Sequence, residues 1–174
     1  SLKVLKLDWE RMSVRNQARF IGSGHAAIVE CEEYMTISRK NSDVMVCLCE
    51  IGSLVGVKVM VEGHDVEKTG MSLDDLLNRE GKNSSGESAR PIDIAATGWK
   101  FDIVVYLAGK GGKGEKFAGT PMVGACEKGG LDLVKAMVEG YDVEKTGISV
   151  DEMLNREGKN SSGESARPID IAAT

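Results

Sequence analysis

Residues 119–143 read GTPMVGACEKGGLDLVKAMVEGYDV, and the punctuation in this stretch decides the fold class. Thr120 can cap a helix through its hydroxyl, and Pro121 then takes the first helical position, where a missing N–H costs nothing. Ala125 keeps one face thin enough for close packing. Gly129 and Gly130 break that helix where a left-handed residue is wanted, and a second helix follows with Leu133, Val134, Met137 and Val138 on one stripe. The expectation is a helical hairpin followed by a loop that begins at Gly140.

Working outward, the chain repeats itself. Leu54–Thr97 reads LVGVKVMVEGHDVEKTGMSLDDLLNREGKNSSGESARPIDIAAT, and Leu131–Thr174 reads LDLVKAMVEGYDVEKTGISVDEMLNREGKNSSGESARPIDIAAT, an offset of 77 residues with 36 of 44 positions identical. Met45-Val46 and Cys49-Glu50 extend the match to Met122-Val123 and Cys126-Glu127. Solvated loops usually drift, so near-identity that includes KNSSGES reads as recent duplication and carries no functional inference. A fainter repeat lies inside the unit: Ala89–Thr97 set over Gly119–Glu127 aligns Pro91 with Pro121 and Ala95 with Ala125, and Phe101–Leu107 then falls over Leu131–Met137.

The long units carry an insertion with its own helical signal. Ser72-Leu73-Asp74-Asp75-Leu76-Leu77 has a serine cap, an acid three residues on, and apolar residues at helical spacing; Ser149-Val150-Asp151-Glu152-Met153-Leu154 repeats it. An extra short helix is therefore expected in each copy, ending at Gly81 or Gly158, with the polar stretch Lys82–Glu87 as a flexible return.

Composition bounds the function. The 174 residues are 41% apolar and 28% charged, as in a globular chain, and no window approaches the roughly 18 apolar residues that a membrane-spanning helix needs. Net charge is −5, with 22 basic against 27 acidic residues, which argues against a nucleic-acid partner, since such affinity rests on a basic face. Four irregularly spaced cysteines, Cys31, Cys47, Cys49 and Cys126, read as reduced thiols of an intracellular, cytoplasmic protein. The N-terminal Ser1–Asp8 has no signal-peptide anatomy and no initiating Met, and it reads as an internal or trimmed start.

Together these residues resemble the ankyrin repeat. Thr120-Pro121-Met122 with Ala125, Gly129, Val134, Met137, Val138 and Gly140-Tyr141-Asp142-Val143 is similar to the family pattern through its second helix; Gly63-His64-Asp65-Val66 is similar to the closing motif, and Gly24-His25-Ala26-Ala27-Ile28-Val29 to the middle of a degenerate unit. Asp43-Val44 and Arg90-Pro91 stand where the pattern has Thr-Pro, Trp99 stands at a glycine position, and the starts are spaced 47, 30 and 47 residues apart against a family repeat of about 33. The resemblance implies an all-α solenoid of stacked helix-turn-helix repeats whose extended finger loops carry the extra helix. It divides one domain, 1–174, into a degenerate unit or cap at 1–38, a long unit at 41–88, a short unit at 89–117, a long unit at 118–165 and the start of a truncated unit at 166–174.

Plainer readings compete with chemistry at each suggestive feature. Lys110-Gly111-Gly112-Lys113-Gly114-Glu115-Lys116 resembles a deviant phosphate-binding loop, with Ile103–Leu107 before it as a candidate buried strand. In such a loop backbone N–H groups cradle phosphate, a lysine reaches the β and γ oxygens and a hydroxyl binds magnesium, whereas here Glu115 and Lys116 fill the lysine and hydroxyl positions. A solvated glycine-rich connector is favoured over a nucleotide-binding hydrolase. His25 and His64 lack further ligands at a metal spacing, so each is expected as a surface turn residue and no metal site is expected. Cys49 and Cys126 fit as small buried thiols, and the eight methionines as core filler. No Ser/His/Asp constellation is present and no cofactor is implied.

The expected function is a noncatalytic protein-interaction scaffold with a protein partner. By the resemblance, contacts fall at Asp65, Glu67, Lys68, Asp142, Glu144 and Lys145 in the fingers, and at Thr97, Glu127 and Lys128 at the ends of inner helices. A spacer or self-assembling rod is the structural alternative. Arg167–Thr174 matches only the first helix of a unit, so the apolar side of Ile169, Ile171 and Ala172 is expected to be covered by further chain, by another protein or by self-association.

Overall fold

The computed structural model describes residues 8–173. Helix accounts for 63% of the described residues, and the strands among them are only two residues long, so the architecture is all-α. Two compact units divide it, Ser1–Pro91 and Ile92–Thr174.

In the first unit, helical residues 8–11 (α1) precede α2 (Val14–Gly22), α3 (Ala26–Val29), α4 (Glu32–Lys40), α5 (Ser42–Ile51), α6 (Leu54–Glu62), α7 (Val66–Thr69), α8 (Leu73–Asn78), β1 (Gly81–Lys82) and β2 (Ser88–Ala89). Helix α5 is buried nearly all round through Val44, Met45, Val46, Cys47, Leu48 and Cys49, and it packs on α2, α4 and α6. Helices α2 and α6 touch backbone to backbone, because a side chain on Gly56 would stand 2.9 Å from the Cα of Gly22. A buried polar chain closes the N-terminal side. Trp9 Nε1 donates to Ser38 Oγ (3.0 Å), Ser38 Oγ donates to Gln17 Oε1 (3.0 Å), and Gln17 Nε2 donates to the Trp9 carbonyl (2.9 Å). No buried donor in that chain is left without an acceptor, as burial requires.

The unit boundary falls inside α9 (Pro91–Thr97). The second unit continues with α10 (Phe101–Lys110), α11 (Thr120–Lys128), α12 (Leu131–Glu139), α13 (Val143–Thr146), α14 (Val150–Asn155), β3 (Gly158–Lys159), β4 (Ser165–Ala166) and α15 (Pro168–Ala172). Here α10 packs on α12, and α11 packs on α12, α15 and β3. The elements from α6 to β2 recur from α12 to β4 with the same bounds shifted by 77 residues, so the sequence duplication is a structural one. Seven of the eight methionines are buried, as core filler.

Several local expectations change. Gly119, with φ of 81°, takes the cap position of α11, and Thr120 is its first helical residue; the Thr120 hydroxyl instead accepts the N–H of Lys159 (2.9 Å). Asp43 does the same for Lys82 in the first copy (2.8 Å). Gly129 and Gly130 are not left-handed, with φ of −95° and −78°. Glycine is needed at 129 because a Cβ there would collide with the side chain of Leu133. The left-handed position is taken by Gly52 (φ 84°) at the equivalent place in the first copy, and by Trp99 (φ 55°) after α9.

The inserted helix forms as α8 and α14. In α8 the Ser72 hydroxyl accepts the Asp75 N–H (3.0 Å) while Asp75 accepts the Ser72 N–H, a capping box. These helices stop at Asn78 and Asn155, before the glycines expected to end them. Gly81 and Gly158 instead open antiparallel hairpins, pairing with Ala89 and Ala166, and a side chain at either would run into the backbone of Ser42 or Thr120. The presumed flexible return is thus an ordered β-turn. Ser84 donates its N–H (3.2 Å) and hydroxyl (2.6 Å) to Glu50, and Ser161 makes both bonds to Glu127. Glu50 and Glu127 lie at the far ends of α5 and α11 from the residues that hold β1 and β3, so each hairpin is pinned along its helix.

Candidate functional site

Each finger is built from the pentapeptide Asp-Val-Glu-Lys-Thr followed by glycine. Asp65 caps α7, with Oδ1 accepting the N–H of Glu67 (2.9 Å) and Lys68 (3.4 Å); Asp142 caps α13 by accepting the Lys145 N–H (3.0 Å). Thr69 and Thr146 donate their hydroxyls to the carbonyls of Asp65 and Asp142 (2.9 Å each). Gly70 and Gly147, at φ of 69° and 67°, end the turns in the left-handed conformation that a side chain strains. The cap carboxylate and the threonine hydroxyl of each turn are thereby used inward. What remains outward is Val66 (54% exposed) and Val143 (40%), flanked by Glu67, Lys68, Glu144 and Lys145.

An open groove borders each tip. In the first unit it holds about 600 Å³ between Glu10, Glu32, Glu33, Lys40 and Lys68, and Lys68 forms an ion pair with Glu32 across it, which raises the Lys68 pKa. In the second unit it holds about 440 Å³ beside Lys113, Tyr141, Asp142, Val143 and Glu144. The candidate contacts are therefore not equivalent. Asp65 and Asp142 serve as caps, and Glu67, Glu144 and Lys145 are exposed at the tips. Glu127 is committed to Ser161, whose hydroxyl and N–H hold its carboxyl below the usual range. Thr97 donates to the Asp93 carbonyl (2.7 Å), and the Lys128 ammonium sits over the Trp99 ring at 5.3 Å.

The residue before each cap differs between copies and so does its role. His64 Nε2 is bonded to the Met71 carbonyl at 2.8 Å, so this half-buried ring braces the finger and is not a surface turn residue; His25 is exposed. Tyr141 is buried and stacks on Phe117, 6.1 Å between centroids.

Ile103–Leu107 lies in helix α10, and the glycine-rich segment after it is an anchored strap, not a solvated connector. Its backbone donors are engaged: Gly111 and Gly112 close α10 on Ala108 and Leu107 (3.1 and 2.8 Å), Gly114 donates to Gly140 (2.8 Å), and Glu115 (2.9 Å) and Lys116 (2.8 Å) donate to the Asp93 carboxylate. Gly114 also accepts from Asp142 (2.9 Å), and Lys113 Nζ reaches the Glu139 carbonyl (3.2 Å) at the C-terminus of α12, where a cation complements the helix dipole. In the first unit Arg39 has that place, donating from Nε and Nη2 to Met60 and Val59 (2.8 Å each) at the end of α6. Neither Asp93 nor Arg39 stood out in the sequence; an acid or an arginine in an apolar stripe was the available signal.

The four cysteines are free, and burial pushes the Cys49 thiol far above its ordinary range. Among the described residues, no group of three His, Cys, Asp or Glu side chains is placed to hold a metal ion, and no helix is long and apolar enough to cross a membrane. Comparison with family models, with curated proteins and with solved structures finds no match to this chain.

Proposed function

We propose that this chain is a noncatalytic protein-interaction module of the ankyrin-repeat type, and that the tips of α7 and α13 are its contact points. The observation that carries this reading is the recurrence of the same tip sequence and turn in both units. In each, the aspartate cap and the threonine hydroxyl are spent on the turn itself, and a valine stands exposed next to an exposed glutamate and lysine, beside an open groove. A preordered tip loses little conformational entropy on binding, and a small apolar centre with a charged rim is the composition of a protein-contact patch. The partner is a polypeptide, with no cofactor and no nucleic acid involved.

The test is affinity capture with the full chain and with a variant carrying Val66→Glu, Glu67→Lys, Val143→Glu and Glu144→Lys. A partner retained by the parent and lost by a variant that melts at the same temperature supports the reading. Identical capture by both chains refutes it.

A further inference from the structure

In the first unit a smaller cavity of about 250 Å³ lies between the first turn of α2, the side of α5 and the hairpin β1–β2. Each side chain in its wall that carries an oxygen already uses it. Asp43 accepts the N–H of Lys82 (2.8 Å), the Ser84 hydroxyl donates to Glu50 (2.6 Å), and Asn83 Oδ1 accepts the N–H groups of Ser85 (3.0 Å) and Glu87 (2.9 Å). The donors in the wall are barely used. Arg15 has no hydrogen-bond or ion-pair partner among the described residues, and the Lys82 ammonium makes one long bond, 3.4 Å, to the Gly86 carbonyl. Arg19 stands one turn beyond Arg15, is likewise unpartnered among the described residues, and α2 contains no acid. Both guanidiniums stand within electrostatic reach of Cys47 in the cavity wall: burial and then Glu50 push its thiol up, and Arg15 and Arg19 act against that rise. Like charges one turn apart destabilise a helix by about 0.2–0.5 kcal/mol, so this pair is a cost that no neighbouring acid offsets. The second copy does not carry it. Ile92 and Ala96 stand at the places of Arg15 and Arg19 and are fully buried, and Gly124, at the place of Cys47, is covered by the Trp99 ring.

We propose that this cavity is a binding site for a small phosphomonoester, its phosphate held by Arg15, Arg19 and Lys82 and its organic part lying against Val14 and Cys47. A wall whose oxygens are engaged and whose cations are not selects an acceptor of negative charge. Asp43 is the one acid in that wall, against the two cations Arg15 and Lys82. A phosphomonoester carries a charge of about −1.5 to −2 near neutral pH and three acceptor oxygens, which suits two guanidiniums and an ammonium better than a monoanionic carboxylate does. The volume lies below the roughly 300–1,000 Å³ of pockets that bury drug-sized ligands, so the organic part is of side-chain size and a nucleotide is too large. A free phosphorylated metabolite and a phosphorylated side chain of a partner share this chemistry. The site uses none of the finger-tip residues and stands or falls without them.

The test titrates the intact 174-residue chain with O-phospho-L-serine and with a glycine-flanked phosphoserine peptide, by calorimetry and amide chemical shifts, with serine and succinate as controls. Saturable binding of a phosphorylated probe is expected, with shifts centred on Arg15, Cys47 and Asn83, and the tighter of the two probes assigns the source. Serine should not bind, and succinate should bind at least about tenfold more weakly. Arg15→Gln should weaken binding about tenfold, which corresponds to about 1.4 kcal/mol. Arg15→Ile combined with Arg19→Ala, the residues of the second copy, should abolish it. Both arginines are exposed, so these variants are expected to melt with the parent, which circular dichroism checks. No saturable binding of either phosphorylated probe at millimolar concentration, equal binding of succinate, shifts centred elsewhere, or indifference to Arg15→Gln overturns the proposal.

Discussion

Replacing Asp93 by alanine tests how the second unit is held together. Asp93 is almost fully buried and receives two backbone N–H groups, from Glu115 at 2.9 and 3.1 Å and from Lys116 at 2.8 Å. Hydrogen bonds to an ionised acceptor contribute about 1.5–3 kcal/mol each, so the gross loss is about 3–6 kcal/mol. Alanine also removes the desolvation penalty that a buried carboxylate carries, which offsets part of this and leaves a net destabilisation of about 2–4 kcal/mol. For a chain of this length that is a fall in Tm of about 5–15 °C. The duplication supplies its own control: Asp170→Ala changes the same residue in the same sequence where it is exposed, and no measurable shift is expected. The assay is thermal and urea unfolding followed by circular dichroism, with hydrogen exchange read at the Glu115 and Lys116 amides. Equal effects at the two positions, or Asp93→Ala within a degree of the parent, would refute the assignment of Asp93 as the anchor of the strap.

Arg39→Met keeps the length of the side chain but removes the donors to the Met60 and Val59 carbonyls; unfolding in urea should show a loss of about 2 kcal/mol, with increased exchange confined to the last turn of α6. Ser161 bonds hold the Glu127 carboxyl low, so this group adds stability that is present above the ordinary carboxylate pKa and is lost as pH falls through the depressed folded value. Carboxyl carbon shifts should titrate below the usual range for Glu127 and return towards it in Ser161→Ala. Thiol labelling of the native chain should leave Cys49 protected on the timescale that modifies Cys31 and Cys126, because burial disfavours its thiolate. Millimolar magnesium nucleotide should leave Tm unchanged, since the N–H groups that would cradle phosphate are bonded to Asp93, Gly140 and the end of α10.

How much was legible follows from the range of the forces involved. The hairpin α11–α12, the extra helices α8 and α14 and the helical state of Ile103–Leu107 could all be read, because caps, turn glycines and apolar periodicity act within about four residues. The hairpins β1–β2 and β3–β4 were missed for the converse reason. Gly81 and Gly158 look like helix stops, yet their function is to let the backbone meet Ser42 and Thr120, which are 39 and 38 positions away. Likewise Glu127 reads as a surface charge until Ser161 is seen on it, and Thr120 reads as a cap until Lys159 is.

The duplicated twenty residues, 78–97 and 155–174, draw the line most plainly. Their sequence alone determined a short proline-started helix with one apolar side, and both copies form it. Only the tertiary structure decided that Asp93 is a buried anchor and Asp170 a surface ion pair, and that Ile92 is core while Ile169 is half exposed. Helix and turn formation are local properties of a segment, whereas burial and the acceptor's choice of donor depend on which other part of the chain arrives to pack against it.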